Sequence, residues 1–259
     1  WVAPDPSKWG CETGCSIRNS ELQIYTNRPE NVRLDGAGNL QIEARSEVMG
    51  GCNYTSGSVE TRCKGSWTYG RIEARLKLPP GGKGFWPAFW MLGDSIAWEG
   101  WPACGEIDIM ENINSNNTTY ATVHTTNAVG AQTSSGSSYN YPGPGNLDDS
   151  FHIYAVEWEP NLLRFYFDAV LVHTVTPASF PAGSNWAFAE PEFIKLNVAV
   201  GGSWPGPPDG STVFPSSMFV DYVRVYVDTS AAPPPPSPTP MPYDDFEYGG
   251  NMGNHWGSW

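Results

Sequence analysis

Arg71-Ile72-Glu73-Ala74-Arg75-Leu76-Lys77-Leu78 alternates charged and apolar residues at every step. A period of two sends one face of an extended segment into a core and the other into water, which marks a half-buried strand. Leu163-Arg164-Phe165-Tyr166-Phe167 and the run from Val220 to Val227 alternate in the same way. Turn clusters lie between such runs: Asp35-Gly36-Ala37-Gly38-Asn39, Pro79-Pro80-Gly81-Gly82 and Gly201-Gly202. No stretch keeps a helical period beyond about two turns. The chain is therefore expected to be all-β, a sandwich of two antiparallel sheets. Its 259 residues suit one domain with a large core.

Composition shifts mark the ends of that domain. Residues 127–150 are rich in Asn, Ser, Gly and Pro and are expected to form a long loop. Ala231 to Pro242 holds seven prolines in twelve residues, the composition of a stiff extended linker. The expected division is a catalytic domain over 1–228, a linker over 229–242 and a tail over 243–259, too short to fold alone.

The formal net charge of −13 argues against nucleic acid and anionic membranes as partners, since both select Lys and Arg. No run approaches the roughly 18 apolar residues of a membrane span. A neutral polymer remains compatible. Twelve Trp and twelve Tyr suit sugar rings, whose C–H faces pack on aromatics, and equally suit a β-rich core. The five cysteines form no CxxC pair, and four His are too few to complete a zinc site. Cys52 and Cys63 flank a possible hairpin and are the better disulfide candidate, with Cys11–Cys15 a tighter alternative. Cys104 is expected to be a small buried hydrophobe.

Gly105-Glu106-Ile107-Asp108-Ile109-Met110-Glu111-Asn112 places three carboxylates within six residues, among apolar neighbours. In a regular strand Glu106 and Asp108 share a face and Glu111 points to the other. One extra residue, a β-bulge, would turn Glu111 back beside them. Two carboxyls held together on one face can serve as nucleophile and acid/base in retaining glycoside hydrolysis. The competing readings are a solvated acidic face and a calcium loop. Calcium loops space their oxygens with Gly, Asn and Asp, whereas Ile107, Ile109 and Met110 indicate a strand buried on its other side.

The motif resembles that of glycoside hydrolase family 16 in its laminarinase form, which carries the extra residue before the last Glu. The resemblance extends over Tyr69–Arg75, Gly84–Leu92, Val123-His124, Phe151–Trp158, Asn197–Gly202 and Asp221–Tyr226, about Ser7 to Val227 in all. It implies a β-jelly-roll sandwich with a concave substrate cleft. It further implies Glu106 as nucleophile, Asp108 as its assistant and Glu111 as general acid/base. Trp101 would stack on the sugar at the cleaved position. Trp86 and Trp90 are further cleft candidates, with core packing the alternative for Trp90. His124 would neighbour the acid/base, Asn31 resembles a sugar-binding position, and Trp204 would pave the far side.

The activity so implied is internal hydrolysis of β-1,3-glucan by a secreted, monomeric enzyme that needs no cofactor for catalysis. A mixed-linkage β-1,3-1,4-glucanase or a transglycosylase is the nearest alternative. A non-catalytic β-glucan-binding lectin on the same fold would have lost one or both glutamates, and both are present. Relatives often hold a structural calcium, which by position would use Gly38 and Asp221. The family's opening strand is expected to be missing ahead of Trp1. Tyr243-Asp244-Asp245-Phe246 and Trp256 resemble that opening, so the tail is either a solvated fragment of another module or a replacement strand that brings Asp245 to the metal.

Overall fold

The structure, a computed structural model, describes residues 2–15 and 18–227. Its strands in chain order are β1 (Gly10–Cys11), β2 (Gly14–Cys15), β3 (Gln23–Tyr25), β4 (Val32–Leu34), β5 (Leu40–Ala44), β6 (Tyr54–Ser56), β7 (Ser58–Glu60), β8 (Gly70–Lys77) and β9 (Phe85–Gly93). There follow β10 (Glu106–Glu111), β11 (Thr118–Thr126), β12 (Gln132–Asn140), β13 (His152–Glu159), β14 (Leu162–Phe167), β15 (Val170–Val175), β16 (Glu192–Val200) and β17 (Ser216–Tyr226). Only three short 3-10 turns interrupt them among the described residues.

Two seven-stranded antiparallel sheets pack face to face, in the orders β1-β7-β16-β9-β10-β11-β12 and β15-β14-β13-β8-β17-β5-β4. Ile72, Leu76, Phe89, Ile107, Phe165 and Leu196 are fully buried in the core between them. Ile72, Leu76 and Phe165 are apolar members of the alternating runs, so in those strands the period of two translates directly into one core face. The other face of the first sheet is open. Across it the Cα partners align as Glu60, Lys195, Trp90, Asp108, Thr122 and Gly136. The acidic strand β10 sits inside this sheet, flanked by β9 and β11.

Two expectations are corrected here. Residues 127–150 are not one long loop, because Gln132–Asn140 forms β12, paired without a slip along the whole of β11. Its Ser, Thr and Gly residues give no apolar alternation, and the strand forms at the sheet edge on backbone hydrogen bonds to β11. The disulfide joins Cys15 to Cys52, not Cys52 to Cys63 or Cys11 to Cys15. Cys15 pairs with Ile24 across β2 and β3, and the turn at Gly50 lies against the Ile24 side chain, so the fold delivers Cys52 to Cys15. Cys63 is exposed and Cys11 partly buried, both as thiols. Cys104 is buried as expected, and burial pushes its thiol up to about 12. The linker and tail, with Asp245 and Trp256, lie outside the described residues.

Candidate active site

Two glycines set the entry to β10. The Gly93 N–H donates to the Gly105 carbonyl at 3.1 Å, and a Cβ at Gly93 would meet the Cys104 carbonyl oxygen at 2.0 Å. Gly105 has φ +84, the left-handed region that favours glycine. Beyond them β10 begins with Glu106 opposite Leu92 and His124. Asp108 lies opposite Trp90 and Thr122, then the register slips, and Glu111 lies opposite Ala88 and Tyr120. Because those partners step by two along β9 and β11, all three acids share the open face.

Each acid has its own partner. The Trp101 indole N–H donates to Glu106 Oε2 at 3.0 Å, and the Trp86 indole N–H donates to Glu111 Oε1 at 2.9 Å. His124 Nε2 stands 3.2 Å from Asp108 Oδ2 and 3.8 Å from Glu106 Oε1. The Asp108 contact is close enough for charge attraction but is not aligned as a hydrogen bond, and Asp108 Oδ2 has no other partner. Gln132 Nε2 lies 3.0 Å from His124 Nδ1; with the amide donating there, the remaining imidazole proton points at the acids. Ligand atoms of Glu106, Asp108 and His124 lie within 4.8 Å of one another, a spacing open to a shared proton and also to a cation.

Burial dominates the acidities. It holds Glu106 well above the usual carboxylate range, with the Asp108 charge adding to the rise and His124 opposing it. Burial alone pushes Asp108 up to about 8, and burial with repulsion from Asp108 takes Glu111 to about 8. The three therefore cannot all be ionised at neutral pH, and protons are shared among them. Behind the strand, Glu192 is fully buried with both carboxylate oxygens unpartnered, and burial keeps it protonated.

The aromatic candidates divide into three groups. Trp101 is 51% exposed beside Glu106, with its ring 5.9 Å from that of His124. Trp204 is 41% exposed and packs edge-on against Trp86 at 5.5 Å and Tyr120 at 4.8 Å. Trp90 is half-buried on the open face, its N–H donated to Asn197 Oδ1 at 2.7 Å. Asn31 makes no hydrogen bond to any of these residues. It is 0% exposed, bonded to Thr26, Thr55 and the Glu43 carbonyl, and so fixes the turn before β4.

Asp221 accepts from Arg75 at 2.6 Å, and Gly38 occupies a turn with φ +94. Among the described residues no set of three acidic, His or Cys side chains at metal-ligand spacing includes Asp221. Calcium needs six to eight oxygens, so these residues alone do not complete a calcium site.

The sequence reading missed Tyr120, Gln132, Lys195 and Asn197 on the open face. Tyr120 was within reach of it, because Thr118–Thr126 alternates and puts Tyr120 on the face of His124.

A family model described as Glycosyl hydrolases family 16 matches residues 19–224. The chain belongs to that family. It is 42% identical over 236 residues to a β-glucanase of Rhodothermus marinus, covering 86% of this chain and 80% of the relative. It is 35% identical to glucan endo-1,3-β-glucosidase A1 of Niallia circulans, where it spans 86% of this chain but only 36% of that protein's length. The solved laminarinase catalytic domain of Thermotoga maritima superposes with a TM-score of 0.80 at 41% identity, over 87% of this chain and 94% of that one. The fold is accordingly the family 16 jelly roll, and the chain is a glycoside hydrolase.

Proposed function

We propose that this chain hydrolyses β-1,3-glucan at internal bonds with retention of anomeric configuration. The observation that carries the reading is a pair of glutamates on one bulged strand, each held by a different indole N–H. Relatives named for β-glucan and endo-1,3-β-glucan cleavage support the substrate. Glu106 attacks the anomeric carbon while Glu111 protonates the leaving oxygen; Glu111 then activates water to release the glycosyl-enzyme. Glu106 and Asp108 share one negative charge, which the facing His124 favours, and the proton stays on Glu111. Trp101 stacks on the sugar nearest the nucleophile, and Trp204 with Trp86 and Tyr120 forms the wall beside Glu111. Such a polymer is met outside the cell, so the reading includes secretion, with the monomer as the working unit. No organic cofactor enters these steps.

Product analysis on laminarin, curdlan, lichenan, agarose and xyloglucan tests the reading. Release from laminarin, with none from agarose or xyloglucan, is expected. The reverse order overturns the substrate, and an inverted product in early-time NMR overturns double displacement.

A further inference from the structure

The open face continues past Trp90, away from the acids, into a group of charges that the chemistry above does not use. Lys195 Nζ pairs with Glu60 Oε2 at 2.6 Å and Glu12 Oε2 at 3.2 Å. Its side chain is only 3% exposed, against 19% for Glu60 and 29% for Glu12. Glu12 is paired in turn with Arg18 at 3.0 Å and accepts from the Ser58 hydroxyl. Lys195 Nζ also lies 5.2 Å from the centre of the Trp90 ring. The edge of that ring is tied through its N–H to Asn197, whose amide donates to the Tyr25 hydroxyl at 3.1 Å.

A buried ammonium is a poor source of stability, because an apolar residue of the same volume does as well or better there. What the charge supplies is position. The cation over the ring and the hydrogen bond at its edge fix Trp90 at two points, and a flat ring held in one plane is a platform for a sugar face. Lys195, Glu60, Trp90 and Asp108 occupy one row across the sheet, with Glu60 three strands from Asp108. At about 4.8 Å per strand that is about 14 Å, farther than a sugar bound at the acids can reach. Only a longer chain meets both ends.

We infer that Lys195 is a positioning residue: it holds Trp90 and the Glu60–Glu12 edge as a preformed extension of the site, and so governs how tightly long β-glucan chains are held, not how fast a bond is cut. The inference rests on the proposed β-glucan hydrolysis. The experiment therefore begins with the wild-type protein, and uses oligosaccharides of whichever linkage it cleaves. Failure on every β-glucan would refute the hydrolysis itself.

With that substrate fixed, Lys195→Met and Lys195→Arg are compared on a hexasaccharide and on an aryl disaccharide too short to reach Glu60. Lys195→Met is expected to raise KM for the hexasaccharide about tenfold with kcat within about twofold, and to raise KM for the aryl substrate, which reaches Trp90 but not Glu60, by no more than about twofold. Lys195→Arg should recover most of the loss. A fall in kcat at constant KM, an equal rise in KM on both substrates, or no change on either overturns the inference. Should Lys195→Met not fold, Glu60→Gln, at a partner more exposed than the lysine, must give the same length-selective rise; its absence also overturns it.

Discussion

Glu106 and Glu111 are the same residue type on one strand, and their surroundings divide the labour. Glu106→Ser should abolish turnover yet leave oligosaccharide binding, measured by calorimetry, within a few-fold of wild type. Glu111→Ala should lose about 10²–10⁴-fold on polymer but retain the first step on an aryl glycoside whose leaving group needs no acid. Azide should then restore product with retained configuration; inverted azide product would refute the role of Glu106. The acidity of Glu111 sets a second expectation. It must hold its proton to act as acid, so kcat/KM should fall as pH rises through about 8. The Trp86 N–H favours the ionised form, so Trp86→Phe should move that alkaline limb to higher pH. A limb that stays in place would show that another group controls it.

At the scale of the strand, β10 works because its register slips after Asp108. An Ala inserted between Ile109 and Met110 turns the final glutamate toward the core, so activity should drop to the Glu111→Ala level and Tm should fall. Deleting Met110 restores plain alternation, which keeps that glutamate on the open face. This variant should stay more active than Glu111→Ala, and equal inactivity in both would discredit the bulge argument. The need for a bulge was legible in the sequence, because three acids in six residues could share a face in no other way. Strands with one apolar face were legible too, as in Arg71–Leu78. β12 was not, because a polar edge strand lacks the contrast that alternation reads. Nor was the Cys15–Cys52 bridge, which depends on the parallel pairing of β3 with β6, residues far apart in the chain. The burial of Asn31 was not legible for a related reason: a turn residue's burial depends on what folds over it. Lys195 and Asn197 join the site only through the pairing of β16 with β9.

The molecule as a whole carries buried acids at a cost that varies with pH. Glu192, and the Glu106, Asp108 and Glu111 group between them, bind more protons in the folded chain than the unfolded chain does at the same neutral pH. Unfolding then releases protons, so stability declines as pH rises from the unfolded carboxyl range, about 4, through about 8. Carboxyls held below the usual range by their partners, such as Glu12, Glu47 and Glu157, act oppositely and lose their contribution on acidification below that range. Tm should therefore be higher at pH 5 than at pH 8, and a rise across that interval would contradict the balance. Glu192→Met, which removes an unpartnered buried carboxyl, should raise Tm, and by more at pH 8 than at pH 5.

The row of Glu60, Lys195, Trp90, Asp108, Thr122 and Gly136 has one more consequence, in time instead of space. Neighbours in that row come from stretches of chain as much as 135 residues apart. Contacts of such long sequence separation form late and slowly, because the intervening chain must be ordered first. A partly folded molecule consequently has no partial site. During refolding from denaturant, hydrolysis should return only with the slowest major recovery of tryptophan fluorescence, never ahead of it.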